Sequence, residues 1–498
     1  MKIKKGIQSY VISEVTLEKD AKPEEDYVSK TIGNFGSYQA IVCPIAGISR
    51  LIVMWNVMCI VFLTPTTNFT CVKFKDNLIR NVTNSTCYAD CIEYAYHSSV
   101  LEETLISSFG LICGNAWLAS FTQTIAMLGL VIGVSAFGWV SDRFGRRIAY
   151  ILSGMTTVIF TLASSFAPSY WAFTAMRFFA GFGSGGVMTL SVVLNVEMVG
   201  PKYREISGAM SLLADGVAVM LLAAIGAPIS SWRSMLLIFG IVGVLILVML
   251  MFLPETPRWL ISQRKTEEAV ALMTKIAKFN GLNTSHIRET VQEAVKHLEN
   301  QQMAVQKYTF LDLFRNMKLA RITVTSVAMW IAGGICYFGI NQYSTLLGLN
   351  IFVVVPMMGF FQIIGNFLAL PANRYFKRRM SLFTAFITVG IFMLILIFVP
   401  YAHWGCGVLT CIGLVFAIMI ICIAYVHSSE VYPTPLRNMG IGVCCGGAKV
   451  GAMIAPFIAN AHPHWIAETI LTVIPFVGAL LSLLLPETKG KEIKDTVD

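Results

Sequence analysis

The sequence predicts an all-α membrane protein in which twelve transmembrane helices form two pseudo-symmetric bundles of six. Composition, a series of long apolar segments and an internal repeat lead to this prediction. Of the 498 residues, 56% are hydrophobic and only 13% are charged, and the mean hydropathy is +0.68. Soluble domains have about a quarter of their residues charged. Lipid must therefore surround most of this chain.

The apolar segments contain about 20 residues each, which is enough for a helix to cross ~30 Å of hydrocarbon. They predict spans, numbered 1 to 12, near 40–64, 118–140, 147–167, 170–196, 206–228, 233–253, 321–345, 349–372, 380–400, 406–427, 439–460 and 465–485. An even number of spans places both chain termini on the same side of the membrane.

The predicted domains follow from these spans. They are a cytosolic N-terminal segment at 1–38, a first bundle at 39–253, a cytosolic loop at 254–320, a second bundle at 321–486 and a cytosolic tail at 487–498. The charged pattern of the 254–320 loop is typical of short amphipathic surface helices. The first 35 residues contain no apolar run of signal-peptide length, so we expect no cleavage there.

The distribution of basic residues predicts which side is cytosolic, because short cytosolic loops carry an excess of Lys and Arg. One set of loops holds Arg143, Arg146, Arg147, Lys202, Arg204, Arg374, Lys377, Arg378, Arg379 and Arg437. After span 2 the opposite loops hold little beyond Arg233 and a few histidines. This bias accounts for the net charge of +9, and no basic stripe interleaved with aromatic residues indicates a nucleic-acid partner.

The loop at 65–117 is expected to face outward and to be glycosylated. Its sequons begin at Asn68, Asn81 and Asn84. Four cysteines in the same loop predict two disulfides, with three possible connectivities. They are Cys71, Cys87, Cys91 and Cys113. These features favour a multi-pass protein of the plasma membrane.

The two halves of the chain repeat each other at an offset of about 232 residues. Pro254-Glu255-Thr256 after span 6 returns as Pro486-Glu487-Thr488 after span 12, and Arg146-Arg147 returns as Arg378-Arg379. Glu197 with Arg204 likewise returns as Glu430 with Arg437. Two related bundles indicate a solute site near the bilayer midplane between halves that rock against each other, as in transporters.

Several segments resemble the major facilitator superfamily, and within it the organic cation, anion and carnitine transporter family. The stretch GWVSDRFGRR at 138–147 is similar to the superfamily's loop between spans 2 and 3. The narrower resemblance lies in GNFGSYQ at 33–39, RFFAGFG at 177–183, EMVGPKYR at 197–204, PETPRWL at 254–260 and EVYPTPLRN at 430–438. It extends from residue 31 over nearly the whole chain and implies the major facilitator fold.

The resemblance implies that charged residues at the cytosolic face form a latch on the inner gate. The candidates are Asp142, Arg143, Arg146, Arg147, Glu197, Arg204, Glu430 and Arg437. We expect Asp142 to accept hydrogen bonds from the start of span 3 and to pair with arginines. We expect Glu197–Arg204 and Glu430–Arg437 to form ion pairs. Alternatively, these charges only orient loops. Arg374 and Lys377 replace the acid and glycine in the second copy, which makes the latch asymmetric.

Three ionisable residues lie deep in predicted spans, where a charge costs about 2.5–3.5 kcal/mol. Arg50 in span 1, Asp215 in span 5 and Lys449 in span 11 all lie about 15 Å from the cytosolic ends. The resemblance implies that these three spans line the central cavity. It also implies that the position of Lys449 is basic in organic-anion carriers and acidic in organic-cation carriers. Lys449 therefore favours an anion, unless a structural acid or the interface takes its charge.

Asp215 has two possible roles. It could pair with Arg50 and leave Lys449 for the solute, which we prefer, or it could take up a proton and couple transport to pH. Further binding candidates are aromatic and amide residues of spans 7 and 8, namely Tyr337, Asn341, Phe361, Gln362 and Asn366. Helix packing is the alternative explanation for each aromatic residue. Asn366 stands where an anion carrier would often show a second lysine.

No phosphate-binding loop, metal-ligand spacing or nucleophile–base pair is present, so we expect no catalytic residue, metal or cofactor. The sequence predicts a secondary-active or facilitative transporter of small organic ions, with an organic anion favoured. The solute's own gradient, an exchanged solute or a coupling ion would then drive it. The alternatives are an organic cation or carnitine carrier and a solute sensor that does not transport.

Overall fold

The computed structural model describes residues 26–75, 83–98, 100–302, 309–461 and 463–490. The sequon at Asn81, most of the N-terminal segment and most of the tail lie outside the described residues. Within the described part, twelve helical segments are long and apolar enough to cross a membrane. They are Ser37–Leu63, Cys113–Phe144, Arg146–Ser165, Tyr170–Met198, Ile206–Gly226, Trp232–Met251, Met317–Thr345, Ile351–Tyr375, Arg378–Leu396, Trp404–Val431, Arg437–Ala459 and His464–Leu484. They confirm the predicted all-α membrane fold and keep the names span 1 to span 12.

The chain divides into two compact units. The smaller comprises residues up to Val42, Val196–Ser207 and Thr256–Val305, and the larger comprises Cys43–Asn195, Gly208–Glu255 and Gln306–Asp498. Nearly all of the membrane-spanning helices therefore belong to the larger unit.

The smaller unit is built from short helices held by polar contacts. They are Tyr27–Ile32, Pro257–Ser262, Thr266–Phe279 and Ile287–Gln302. Asn280 follows the third of them and donates to the Ile32 carbonyl and to Gln39 Oε1, both at 3.0 Å, while it accepts from the Tyr38 amide. The Asn280 side chain therefore connects the helix Tyr27–Ile32 to the helix Thr266–Phe279.

The segment between spans 1 and 2 contains a β-hairpin that the sequence did not predict. Strand β1 (Asn68–Phe74) pairs antiparallel with strand β2 (Cys91–His97). The disulfides are Cys71–Cys91 and Cys87–Cys113, one of the three connectivities left open by the sequence. The helix Leu105–Phe109 follows, and its Phe109 ring packs against Trp232 at the start of span 6. We call this end of the spans the hairpin end.

The second bundle, spans 7 to 12, encloses a continuous apolar core. Close approach of spans 7 and 11 depends on glycine. A Cβ atom on Gly334 would lie 2.2 Å from the Ala448 carbonyl oxygen, and one on Gly451 would lie 2.4 Å from that of Ile331. Small residues of this kind let membrane helices pack backbone to backbone. The contact fixes span 11 along span 7, with Lys449 between the two glycine contacts in sequence.

Glycine packing in span 11 gives a stability prediction. We expect Gly451→Ala to destabilise the protein by about 1–3 kcal/mol, because its methyl group overlaps a backbone carbonyl. Gly446→Ala is the matched control, since no atom lies within 4 Å of its added Cβ in the same helix. The control should be neutral or slightly stabilising, because alanine is the better helix former.

Thermal unfolding of the purified full-length protein in detergent measures both variants. A Gly451→Ala melting temperature equal to that of Gly446→Ala would contradict the proposed dependence of spans 7 and 11 on glycine.

Candidate functional site

A buried ion pair joins spans 1 and 5. Arg50 Nε donates to Asp215 Oδ1 at 2.8 Å and Arg50 Nη2 to Oδ2 at 2.5 Å, which is a bidentate arrangement. The Arg50 side chain is 2% exposed and that of Asp215 is 14% exposed. Arg50 Nη1 also donates to the Met188 carbonyl and to Ser191 Oγ in span 4, both at 3.1 Å. The two charges therefore neutralise each other inside the first bundle.

The local chain explains why Arg50 reaches this position. Span 1 continues through Ser49, whose backbone is helical and whose amide donates to the Ile45 carbonyl at 3.3 Å. Ser49 Oγ lies 2.5 Å from the Tyr150 hydroxyl of span 3, and that hydroxyl also donates to the Ala46 carbonyl at 3.2 Å. These bonds hold span 1 against span 3 at the residue before Arg50.

Span 5 meets span 8 directly beside Asp215. A Cβ atom on Gly359 would lie 2.6 Å from the Gly216 carbonyl oxygen, so the two helices cross with almost no side chain between them. One further polar contact links these spans, from Asn366 Nδ2 to the Leu212 carbonyl at 3.5 Å. Asp215 of the ion pair is therefore one residue away from a backbone contact between the two bundles.

Lys449 of span 11 is the third ionisable residue of this region. Its amine lies 5.7 Å from the ring centre of Phe338 in span 7, a cation–π contact. Across the described residues, Lys449 forms no ion pair with a carboxylate. It also interacts electrostatically with both Arg50 and Asp215, so the three charges share one region. Because that pair is internally neutral, Lys449 supplies the net positive charge of the group.

The predicted aromatic and amide residues fall into two groups. Tyr337, Asn341 and Gln362 form a connected set, because Gln362 Nε2 donates to the Tyr337 hydroxyl and Asn341 Nδ2 donates to the Tyr337 carbonyl at 2.8 Å. Tyr337 also interacts electrostatically with the Arg50–Asp215 pair. Phe361 instead packs against the apolar core of the second bundle.

A small cleft lies on the hairpin side of Lys449. Spans 1, 2, 7 and 11 line it with Val57, Met58, Ile60, Val61, Gln123, Met127, Phe338, Asn341, Gln342, Ala452 and Pro456. Sequence reasoning did not select Gln123. The sequence feature that could have indicated Gln123 is an amide side chain within an apolar span. Such amides more often serve helix packing.

Hydrogen bonds between spans 2 and 11 lie on the hairpin side of this cleft. Ser120 Oγ donates to the Pro456 carbonyl at 3.2 Å and Thr124 Oγ1 to the Met453 carbonyl at 2.7 Å. Asn460 Nδ2 donates to Ser120 Oγ at 3.1 Å. These bonds hold the two bundles together at the hairpin end.

At the opposite end, the repeated Pro-Glu-Thr segments have equivalent contacts in the two halves. Glu255 accepts from the backbone amides of Arg146 at 2.8 Å and Arg147 at 3.2 Å. Glu487 accepts from those of Arg378 at 2.9 Å and Arg379 at 3.2 Å. Each glutamate caps the positive end of a span, span 3 or span 9, and this symmetry persists although the second loop lacks the acid and the glycine.

The ion pairs at this end agree only in part with those expected. Asp142 pairs with Arg146 Nη1 at 2.7 Å, as expected, while Glu255 bonds to the start of span 3. Glu430 pairs with Arg378 at 3.0 Å and accepts from Thr488 Oγ1 at 2.7 Å, whereas we expected Arg437 as its partner. Arg143 lies 5.6 Å from the Trp139 ring.

The smaller unit contains a related cluster. Arg204, expected to pair with Glu197, lies 3.3 Å from Asp26, which also pairs with Arg258 at 2.7 Å. Glu197 accepts from Thr256 Oγ1 at 2.5 Å, as Glu430 does from Thr488. Burial and the neighbouring Arg258 lower the pKa of Arg204, and Asp26 opposes that shift. The Thr–Glu contact is therefore common to both repeats.

The Arg50–Asp215 pair gives a prediction about stability. Breaking it by Asp215→Asn or Arg50→Gln should cost about 3–5 kcal/mol, because each single substitution leaves one buried charge without its counter-charge. The double substitution should cost less than the sum of the two, because it removes both charges. Glu289→Gln is the control, since that carboxylate is 75% exposed.

Thermal melting of the four purified proteins gives the coupling between the two residues. Additive shifts, or an Asp215→Asn variant as stable as the control, would show that the pair is not a structural unit.

Comparison with known proteins extends these observations. The model described as Major Facilitator Superfamily matches residues 91–456. Solute carrier family 22 member 3 of Rattus norvegicus is 30% identical over 400 residues, covering 79% of this chain and 71% of that protein. Organic cation/carnitine transporter 2 of Homo sapiens is 28% identical over 414 residues, covering 82% and 74%, respectively. Organic cation/carnitine transporter 4 of Arabidopsis thaliana is 25% identical and covers 99% of this chain and 94% of that protein.

A solved structure supports the same fold. The inward open conformation of the xylose transporter XylE from E. coli superposes with a TM-score of 0.66 at 18% identity, over 92% of this chain and 98% of that one. The twelve spans, the paired bundles and these relatives indicate a membrane transporter and not an enzyme. The chain therefore belongs to the Major Facilitator Superfamily and, within it, to the solute carrier family 22 transporters.

Proposed function

We propose that this transporter carries a small organic anion and recognises it by pairing a carboxylate of the solute with Lys449. The observation that carries the proposal is the charge balance of the site. Arg50 and Asp215 neutralise each other in a bidentate pair, while Lys449 has no carboxylate partner among the described residues. A partly exposed lysine in a low-dielectric cavity attracts an anion more strongly than it would in water.

An organic cation is a poorer match to this site. Its recognition would require an acid that is available to the solute. Asp215 is the acid of this charged group, and it already accepts two hydrogen bonds from Arg50. A cation would also be repelled by Lys449. Displacing Arg50 from Asp215 would leave a buried guanidinium without its counter-charge, which is costly.

A zwitterion of the carnitine type is the second candidate. Two relatives are named organic cation/carnitine transporters. Carnitine carries a carboxylate that could pair with Lys449 and a quaternary ammonium group that an aromatic face attracts. Phe338 and Tyr337 supply aromatic rings beside the charged groups, at a ring separation of 4.8 Å. The carboxylate is common to both candidates.

We propose alternating access as the mechanism, with the hairpin end closed in this conformation. The span 2 to span 11 bonds of Ser120 and Thr124 would break to open that end. At the opposite end, the contacts of Glu430 with Arg378 and of Glu255 with span 3 each lie within one bundle, so they would move with that bundle as a unit. The solute gradient, an exchanged solute or a coupling ion would drive the cycle.

The topology proposed for the membrane places the hairpin outside the cell and both termini in the cytosol. Asn68 and Asn84 are exposed on the hairpin, where glycans could be attached without displacing packed side chains. The two disulfides of the same region fit an oxidising compartment. Together these features favour the plasma membrane.

Uptake of labelled solutes into cells that express the full-length chain tests the proposal. The panel is benzoate, carnitine and tetraethylammonium, measured for the wild type, Lys449→Ala and Lys449→Arg. We expect benzoate uptake that Lys449→Ala lowers at least about tenfold, the equivalent of one charge-assisted hydrogen bond, and that Lys449→Arg largely retains.

Surface biotinylation corrects for the amount of each variant, and Lys318→Ala, an exposed lysine at the start of span 7, is the matched control. Carnitine uptake with the same dependence on Lys449 would favour the zwitterion. Tetraethylammonium uptake that Lys449→Ala leaves unchanged would overturn the proposal.

A further inference from the structure

Two buried amide side chains of the cleft have their nitrogen atoms bonded and their oxygen atoms free. Asn341 Nδ2 donates to the Tyr337 carbonyl at 2.8 Å, and Gln123 Nε2 donates to the Val57 carbonyl at 2.9 Å. A carbonyl accepts only, so these bonds fix which end of each amide is nitrogen. Asn341 Oδ1 and Gln123 Oε1 have no hydrogen-bond partner in the described part of the chain.

Asn341 is 2% exposed and Gln123 is 5% exposed, so bulk water does not reach most of either side chain. Buried polar atoms without a partner recur among the described residues, but these two oxygens belong to side chains that border one cleft. A buried acceptor without a partner calls for an explanation, and a bound ligand that donates to it is one. Both residues line the same cleft, whose remaining walls are mostly apolar.

We propose that Asn341 and Gln123 form a second subsite, which accepts hydrogen bonds from an N–H or O–H group of the transported solute. This inference rests on the proposed function and ranks carboxylates that also carry a hydrogen-bond donor above donor-free ones such as benzoate. A quaternary ammonium group has no N–H and cannot satisfy either oxygen. The subsite therefore prefers primary amines, amides and hydroxyl groups over methylated ammonium groups.

The position of the subsite relative to Lys449 sets the length of the solute. Ala452 and Pro456, which border the cleft, follow Lys449 by three and seven residues in the same helix. At 1.5 Å per residue they lie about 4.5 and 10 Å nearer the hairpin end. Phe338 borders the cleft and contacts the Lys449 amine. The donor should therefore be separated from the carboxylate by several carbon atoms.

The subsite also bridges the two bundles. Gln123 belongs to span 2 of the first bundle and Asn341 to span 7 of the second. A solute donor shared by both oxygens stabilises the conformation in which spans 2 and 7 are close. In that conformation the hydrogen bonds between spans 2 and 11 are also formed. Recognition of the donor is thus linked to closure of the hairpin end.

Four labelled probes of equal chain length test the inference in cells that express the full chain. Hexanoate and 6-(trimethylammonio)hexanoate lack a donor, whereas 6-hydroxyhexanoate and 6-aminohexanoate carry one. We expect saturable uptake of each donor probe to exceed that of its donor-free partner by about tenfold. A donor-free probe leaves a buried acceptor without a hydrogen bond, and that loss weakens binding by about this factor. Uptake into mock-transfected cells is subtracted to remove passive entry.

Two variants identify the residues responsible. Asn341→Leu and Gln123→Leu keep the side-chain size but remove the acceptor, and each should bring the donor to donor-free ratio close to one. Asn350→Leu is the control, because that exposed amide accepts from the Phe352 amide at the start of span 8 and does not border the cleft. It should leave the ratio as in the wild type even if it lowers the uptake of both probes.

A wild-type ratio near one, a ratio unaffected by Asn341→Leu and Gln123→Leu, or uptake of none of the four probes would each overturn the inference. The proposed function fails separately, if uptake of benzoate or carnitine does not depend on Lys449.

Discussion

The bidentate pair of Arg50 and Asp215 is the interaction on which the site depends. Either charge alone would be costly among twelve apolar spans, and together with the bonds to Met188 and Ser191 they are almost completely satisfied. The pair joins spans 1, 4 and 5 of the first bundle. It also removes two charges from the electrostatic balance of the cavity, so that Lys449 determines its sign.

Helix packing fixes where these charges lie. Glycine contacts bring span 7 against span 11 and span 5 against span 8, and both contacts lie within a few residues of an ionisable side chain. Lys449 and Asp215 therefore lie on helices that approach a neighbouring helix backbone to backbone. At the two ends of the spans the contacts are polar instead. Hydrogen bonds and ion pairs can be exchanged for water at low cost, which suits the parts of a transporter that open and close.

The sequence predicted what lipid imposes on the chain, namely the twelve spans and the three ionisable residues within them, because the cost of placing polar groups in lipid leaves a strong pattern. It did not predict choices that depend on distant contacts. Glu430 bonds to Arg378, 52 residues away, where the repeat suggested Arg437. The hairpin of β1 and β2 lies in a loop without strong alternation, and its cysteine pairing needed coordinates. From the sequence, Gln123 was indistinguishable from an amide that packs between helices. The structure shows that its nitrogen donates to Val57 and that its oxygen has no partner among the described residues.

The central claim is that one positive charge determines what the cavity accepts. Lys449→Glu tests it most directly, because the variant reverses that charge while the Arg50–Asp215 pair remains. Initial uptake of benzoate and of tetraethylammonium would be compared in cells with equal surface amounts of wild type and variant. The account predicts that the variant loses benzoate uptake and gains uptake of the cation. Benzoate uptake that persists in Lys449→Glu would show that the anion is held elsewhere and would contradict the account.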